Sequence, residues 1–209
     1  MKINKIIAVI MIGLVSFTSC ETMELELIDN PNALSPAQAD ATFFINSVQV
    51  DFAFWVNTMG SRSAALTRIN QLSGRNYAQV WAPSSFDGVW RNAYQGMMED
   101  IRLMNILADE AGLTTHKGMG QVLKAYTLIT LVDHFGNVPY TEALLGADNL
   151  APIADNGDTV YAAALEMLDS AITNFSAGGP KPSVDFFYSG DTAKWIKAAN
   201  SIKKKIHYT

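Results

Sequence analysis

The chain has 209 residues, of which 49% are hydrophobic and 17% are charged, a composition typical of a folded domain rather than a disordered segment. Its 15 basic and 20 acidic side chains give a formal net charge of −5. An acidic chain without a basic cluster is not expected to bind nucleic acid, or anionic lipid through charge alone. The single cysteine excludes a disulfide bond within one chain.

Residues 1–19 have the pattern of a secretory signal peptide. Lys2 and Lys5 precede an apolar run at residues 6–15, which is too short to span a bilayer as a helix. Small residues then lead to Cys20 as in a bacterial lipobox, although Phe17 stands where Leu is usual. We expect the Cys20 sulfur to be lipidated; the alternative is that Cys20 is an ordinary residue removed with the signal peptide.

Residues 20–34 are acidic and then rich in Asn and Pro. Such a composition favours an extended connector, and we interpret this segment as a lipid-anchored tether. The folded body is expected to occupy residues 35–209.

The body is predicted to be all-α, and its first helix follows Ser35 and Pro36. Ser is a good N-cap, and Pro is suited to the first helical turn. Residues 60–83 are less periodic, and we interpret them as a helical remnant followed by a long loop. The first helix is indicated by apolar residues at spacings of three and four: Ala41, Phe44, Val48, Phe52, Trp55 and Met59.

Four more helices are predicted after the loop. The second covers residues 85–109 and is ended by Gly112. The third, over residues 119–134, is apolar on nearly every side and is therefore expected to be buried on nearly every side. The fourth covers residues 159–175 and is amphipathic, and the fifth begins after Asp191 as its N-cap.

Three tyrosines on the inner faces of these helices are spaced by intervals close to that of tetratricopeptide repeats. Tyr94, Tyr126 and Tyr161 are 32 and then 35 residues apart, although the remaining residues do not repeat well. The spacing favours helix pairs that stack into a scaffold.

The segment "LVDHFGNVPYTEA", residues 131–143, concentrates polar groups after the buried helix. We interpret it as a corner. Gly136 is predicted to be the left-handed C-cap residue, Pro139 prevents the helix from resuming, and Tyr140 is expected to fold back onto the helices. Asp133 and His134 are interpreted as a helix-end pair rather than as part of an active site.

No catalytic constellation is visible in the sequence. The three histidines, His116, His134 and His207, are far apart, and no nucleophile motif or phosphate-binding glycine loop is present. Oxygen ligands for Ca²⁺ could come from residues 155–158, but the other ligands of an EF-hand loop are missing. A polar turn that starts a helix, with Asp158 near the N-cap, is favoured there. We expect neither a metal site nor a cofactor.

The four tryptophans differ in their surroundings. Trp55, Trp90 and Trp195 lie on apolar helical stripes and are interpreted as packing residues. Trp81 lies in the loop, and near it are side chains that could donate hydrogen bonds to a sugar. The candidate ligand-binding residues are Trp81, Tyr77, Arg75 and Asn76, and packing of Trp81 within its loop is the alternative.

Three blocks in this order resemble the SusD/RagB family of outer-membrane nutrient-binding lipoproteins, in its SusD-like branch. They are "KAYTLITLVDHFGNVPYTEAL", "DTVYAAALEMLDSAITNF" and "DFFYSGDTAKWIKAANSIKKKI". The resemblance implies a scaffold of tetratricopeptide-like helix pairs on the cell surface. It also implies capture of an oligosaccharide or peptide for a TonB-dependent transporter, without enzymatic activity.

Family members are more than twice as long as this chain, so we expect it to represent the N-terminal portion of such a protein, incomplete at its C-terminus. Residues 203–209 also depart from the family pattern, which is consistent with a truncated or frameshifted product. The alternative function is a lipid-anchored helical scaffold for protein–protein assembly without a small ligand. A lipoprotein hydrolase is a third hypothesis, for which no nucleophile and base can be placed.

Overall fold

The computed structural model describes residues 40–71 and 81–207. Within these residues all regular structure is helical, and the only paired extended backbone is an isolated bridge between Val138 and Asp155. The all-α prediction is confirmed. The predicted signal peptide, Cys20 and the tether of residues 20–34 lie outside the described residues.

Within the described residues, six α-helices and one π-helix form a single compact body from Asp40 onward. Short 3₁₀ turns occupy Pro83–Phe86 and Gly146–Asp148. In chain order the helices are α1 (Ala41–Leu66), α2 (Asp87–Arg91), the π-helix (Asn92–Met98), α3 (Glu99–Ala111), α4 (Thr114–Phe135), α5 (Gly157–Ser176) and α6 (Thr192–Ile206).

Helix α1 begins and ends later than its sequence pattern indicated. Its N-cap is Asp40, whose carboxylate accepts a hydrogen bond from the Thr42 N–H group at 2.9 Å. Ser35 and Pro36, the predicted start, lie outside the described residues. The helix continues past Met59 to Leu66, since Ala65 is still buried. The helical remnant expected after residue 60 is therefore the last two turns of α1.

The second predicted helix is one continuous helical rod, residues 87–111, which consists of α2, the π-helix and α3. A π-turn adds one residue to the helical register, and here it buries the adjacent side chains of Met97 and Met98 together. The rod also comes close to α1 at Gly96, where an added Cβ atom would lie 3.1 Å from the Asp51 carboxylate. Gly112 ends the rod in the left-handed conformation, as predicted.

Helix α4 is the buried centre of the body, as its apolar sequence predicted. It packs most extensively against α5, and it also contacts α1, α3 and α6. It starts five residues before the predicted residue 119 and runs through Gly118 and Gly120, which are close packing positions. A Cβ atom at Gly118 would lie 2.8 Å from the Phe175 ring, and one at Gly120 would lie 2.7 Å from the Met104 methyl group.

The remaining helices pack in chain order, as expected for stacked helix pairs. Helix α5 lies between α4 and α6. Asp191 caps α6 by accepting hydrogen bonds from the backbone N–H groups of Ala193 and Lys194, which confirms the predicted N-cap. Asp158 lies in the first turn of α5, and the N-cap itself is Asn156.

Three tryptophans have the packing role that was predicted. Trp55 and Trp195 are each 2% exposed, and Trp55 donates its indole N–H to the Val89 carbonyl oxygen at 3.1 Å. Trp90 is half-buried, and its ring stacks on Tyr94 with 5.8 Å between centroids.

His116 is an exception among the buried polar side chains of α4. It is 2% exposed, and neither ring nitrogen has a hydrogen-bond partner among residues 40–71 and 81–207. Burial therefore lowers the pKa of the imidazole, and the nearby Asp40 opposes this effect only in part.

Candidate functional site

Trp81 directly follows residues 72–80, which the structure does not describe, so Arg75, Asn76 and Tyr77 lie outside the described residues. The Trp81 ring is half-buried, and its indole N–H group has no acceptor in the part of the chain that is described. Indole N–H groups usually find an acceptor when they are buried. Among the described residues, Trp81 therefore combines an aromatic ring with a buried N–H group that has no acceptor.

The partner of Trp81 is Arg62, near the end of α1. The Arg62 guanidinium lies 5.4 Å from the centroid of the Trp81 ring and 4.9 Å from that of Phe86, so it contacts two aromatic rings. No ion pair of the described residues involves Arg62, and its Nη1 atom has no hydrogen-bond partner there. In the described part of the chain, the Arg62 guanidinium thus contacts aromatic faces and is not paired with a carboxylate.

A cavity of about 210 Å³ opens beside Arg62, between α1 and the start of the rod. Its polar lining includes Thr58 and Asn92, and the Asn92 amide oxygen has no donor within the described ranges. Pockets for drug-sized ligands hold roughly 300–1,000 Å³, so this cavity suits one unit of a larger ligand. Arg62 and Asn92 line the cavity and Trp81 lies against Arg62, so an aromatic ring, a guanidinium and an amide, groups that can contact a sugar, lie close together.

An aromatic cluster that includes Phe86 packs beside Arg62. Phe135, at the end of α4, lies edge-on to Phe86 at 5.3 Å and tilted against Trp90 at 4.8 Å. Tyr94 stacks on Trp90 and donates its hydroxyl to the Pro139 carbonyl oxygen at 2.6 Å. Burial raises the pKa of Tyr94, so the phenol remains a donor. The cluster fixes the corner of residues 131–143 next to the Trp81 region.

That corner is held by a carboxylate from farther along the chain. Asp155 accepts hydrogen bonds from the Tyr140 N–H group at 2.8 Å, from the Thr141 N–H group at 2.9 Å and from the Thr141 hydroxyl at 2.7 Å. The bonds from Thr141 and Tyr140 lower the pKa of Asp155. Tyr140 folds back as predicted, with the Lys124 ammonium 5.9 Å from its ring centroid.

The prediction for Gly136 was wrong in one respect. Gly136 is the C-cap residue and has a positive φ of 78°, but its ψ of −106° lies outside the left-handed helical region. The reason is that the chain must turn sharply outward so that Val138 can pair with Asp155. Only glycine adopts such a conformation readily.

Asp133 and His134 join helices and do not form a catalytic pair. Asp133 accepts hydrogen bonds from the Tyr161 hydroxyl at 2.5 Å and from the Lys205 ammonium at 2.6 Å. Burial and the hydrogen bond to Asp133 raise the pKa of Tyr161 to about 12. His134 lies 2.8 Å from the Ser63 hydroxyl through Nε2. The pair thus connects α4 with α1, α5 and α6.

The described residues contain no group of three or more His, Cys, Asp or Glu side chains that could hold a metal ion. Asp155, the first candidate calcium ligand, directs its carboxylate at the Tyr140–Thr141 backbone instead. Among the helices that the structure describes, none is long and apolar enough to cross a membrane.

Sequence reasoning found Trp81 but missed Arg62 and Asn92. Arg62 belonged to a stretch interpreted as helical remnant and loop, and Asn92 is a polar residue between apolar helical positions. The signal that could have indicated Arg62 is its place on the continued period of α1, which brings it to the end of the helix nearest the Trp81 loop.

Comparison with known proteins identifies the family. The sequence model of the SusD-like family, described as starch-binding and associating with the outer membrane, matches residues 31–207. No curated protein sequence matches the chain significantly. The three blocks named above therefore lie within a family match that covers most of the chain.

Solved structures of longer proteins share the fold. A SusD/RagB family protein from Bacteroides thetaiotaomicron has a TM-score of 0.63 at 24% identity, over 79% of this chain and 37% of that one. A SusD-like protein from the same species has a TM-score of 0.61 at 22% identity, over 81% and 38%. A chitin-binding protein has a TM-score of 0.54 at 24% identity, over 62% and 28%. This chain thus spans about a third of the length of the structures that it matches, and it belongs to the SusD-like family.

Proposed function

We propose that the chain is part of a cell-surface lipoprotein of the outer membrane that binds an oligosaccharide and delivers it to a TonB-dependent transporter. The observation that carries the proposal is the family match over residues 31–207, whose description names starch binding and the outer membrane. The similarity to a chitin-binding protein supports a glycan over a peptide as the ligand. Binding and release complete the proposed role, and no bond is broken.

The proposed organisation assigns residues 1–19 to a signal peptide, residues 20–34 to a tether that is lipidated at Cys20, and residues 35–209 to the scaffold. The lipid on Cys20 would supply the membrane attachment, which an acidic surface does not supply through charge.

The proposed glycan-binding residues are Trp81, Arg62 and Asn92, together with Arg75, Asn76 and Tyr77. A sugar ring presents an apolar face that can stack on an indole, and its hydroxyl groups can pair with polar atoms around the indole. Arg62 and Asn92 line the 210 Å³ cavity, and the Trp81 ring lies against Arg62; the Trp81 N–H group and the Asn92 amide oxygen are buried and have no partner within the described residues.

The test compares two variants of the full chain, Trp81→Ala and Phe186→Ala. Phe186 is 61% exposed and does not line the cavity beside Arg62, and it serves as the control for loss of an aromatic side chain outside the proposed contact. Maltoheptaose and chitohexaose are titrated into each protein by calorimetry. We expect Trp81→Ala to weaken binding about tenfold, which corresponds to about 1.4 kcal/mol, and Phe186→Ala to leave it unchanged.

Two results would contradict different parts of the proposal. Equal affinities of the wild type and Trp81→Ala would rule out the proposed contact while leaving the function intact. The absence of binding to either oligosaccharide by the wild type, with normal folding by circular dichroism, would rule out glycan binding by these residues.

A further inference from the structure

A groove of about 540 Å³ lies on the body in addition to the cavity beside Arg62. It runs between α1, α4 and α6, and the segment before α6 forms one wall. Nearly all of its lining is apolar or aromatic, and no carboxylate from residues 40–71 or 81–207 lines it. Its lining includes Phe52, Tyr126, Phe187, Tyr188, Trp195 and Ile202.

The aromatic walls are in mutual contact. The Phe52 ring lies edge-on to Tyr126 at 5.5 Å and to Phe187 at 5.9 Å. Trp195 forms the floor of the groove and is met edge-on by Phe187 at 5.9 Å and by Tyr188 at 5.0 Å. Packed edge-to-face rings resist rotation, so the groove is a preformed surface.

Hydrogen bonds fix the wall formed by the segment before α6. Gln49 of α1 is buried; its amide group donates to the Val184 carbonyl oxygen and accepts from the Phe186 N–H group. Asp185 accepts a hydrogen bond from the Trp195 indole at 2.8 Å. The wall is therefore anchored to two helices, and its rings Phe187 and Tyr188 are held against Trp195.

The groove opens to solvent beside exposed aromatic side chains. Phe187, which lines the groove, is 38% exposed, and its neighbour in the chain Phe186 is 61% exposed. An apolar groove with exposed aromatic side chains is typical of an interaction site. The groove is therefore a candidate surface for a partner.

The charges at the groove are basic. Lys194 and Lys197 line it, and Lys194 has only a long, exposed contact of 3.8 Å with Asp191. A partner with carboxylates beside an apolar face would complement both the lining and these lysines. A glycan is disfavoured, since the groove offers few groups that could pair with its hydroxyls.

We propose that the groove is the docking surface for an amphipathic helix with acidic flanks, contributed by the part of the SusD-like fold that this sequence does not span. The solved relatives contain additional polypeptide, because the match covers only 37% and 38% of the two Bacteroides thetaiotaomicron chains. An apolar helix face laid into a hydrophobic groove is a recurrent recognition mode. The proposal does not depend on glycan binding at Trp81.

The test supplies the missing polypeptide in trans. The full chain is co-expressed with the unmatched part of the SusD/RagB protein from Bacteroides thetaiotaomicron, and complexes are measured by size exclusion with light scattering. We expect a one-to-one complex that is weakened at least tenfold by Phe187→Asp, and a double Lys194→Glu, Lys197→Glu variant that weakens it more at low salt than at high salt. Leu150→Asp, at an 86% exposed position outside the groove, is the matched control and should bind as the wild type does.

Several outcomes would overturn the proposal: no complex, a complex that tolerates Phe187→Asp, or a wild-type homodimer that Phe187→Asp abolishes. Protection of the groove from hydrogen exchange by maltoheptaose would also overturn it in favour of a glycan subsite. A second test does not depend on folding in trans. In the solved Bacteroides thetaiotaomicron structure, a helix from the unmatched part should cover the residues equivalent to Phe187 and Ile202, and a solvent-filled groove there would contradict the proposal.

Discussion

Replacing Asp185 with Ala should destabilise the body more than any other loss of a single carboxylate near α6. Its two oxygens accept four hydrogen bonds, and three of the donors are backbone N–H groups of the turn that leads into α6. The donors are Phe187 N at 2.9 Å, Tyr188 N at 3.1 Å, Gly190 N at 2.8 Å and Trp195 Nε1 at 2.8 Å.

The magnitude follows from which donors water can reach after the substitution. Trp195 is 2% exposed and Gly190 is buried, so their N–H groups would lose their acceptor without gaining water. A buried unsatisfied donor costs roughly 1–3 kcal/mol, and we therefore expect Asp185→Ala to lower the free energy of unfolding by about 2–5 kcal/mol. The N–H group of Phe187, a more exposed residue, can turn to solvent and contributes less.

The assay is urea unfolding of the full chain, followed by tryptophan fluorescence. Asp191→Ala is the control, because it removes a carboxylate from the same segment that accepts only cap hydrogen bonds, and an N-cap is worth about 1 kcal/mol. If Asp185→Ala lowers the free energy of unfolding no more than Asp191→Ala does, the buried donors of Trp195 and Gly190 do not depend on Asp185 as described.

The stability of the folded chain should also depend on pH through the ionisation of Asp185. Burial acts to raise the pKa of Asp185, but the hydrogen bonds from Trp195 and the loop backbone outweigh it and lower the pKa. A carboxyl group with a lowered folded-state pKa contributes stability above its unfolded value of about 3.9, and this stability is lost as the pH falls through the folded value. Asp185→Asn should remove this contribution, so the variant should lose less stability than the wild type below about pH 4.

Three further changes test other parts of the account. Gly118→Ala should lower the free energy of unfolding, measured in urea, by about 1–3 kcal/mol because the new Cβ atom would press on the Phe175 ring. Gly60→Ala, at a position in α1 with open space, is the control and should be neutral or stabilising by up to about 1 kcal/mol. Equal effects of the two substitutions would contradict this packing. His116→Leu removes two buried nitrogens without partners among the described residues, so it should be neutral or stabilising at pH 7. Since burial lowers the pKa of His116, the wild type should lose stability as the pH falls below about 6.5, and the variant should lose less; identical pH profiles would exclude this role. Cys20→Ala should move the protein from the membrane fraction to the soluble fraction, and continued membrane association would rule out the proposed anchor.

The sequence alone was sufficient for the fold class and for most helices, since each helix buries residues at helical spacing and the central helix is apolar on nearly every side. It was insufficient where one chain segment contacts a distant one. The start of α4 was predicted at residue 119, five residues late, and the sequence did not indicate that Gly118 and Gly120 are the positions where α4 approaches Phe175 and Met104. The π-helix likewise depends on packing against α1, which no local pattern reveals.

The candidate site was predicted in part for the same reason. Trp81 stood out as an aromatic residue beside hydrogen-bonding residues in a loop, and that is a local signal. Its partner Arg62 is 19 positions earlier on another element, and Asn92 is 11 positions later. Asp155 and Asp185 are similar cases, because a carboxylate that holds a turn cannot be told from a solvated one without the coordinates of its donors.

The most direct test of glycan capture is equilibrium binding of the full chain to surface-immobilised starch and chitin, in parallel with the Trp81→Ala variant. The account predicts saturable binding of the wild type to at least one of the two polymers, competition by the matching soluble oligosaccharide, and about tenfold weaker binding of the variant. Folded wild-type protein that is retained by neither polymer would contradict the central claim.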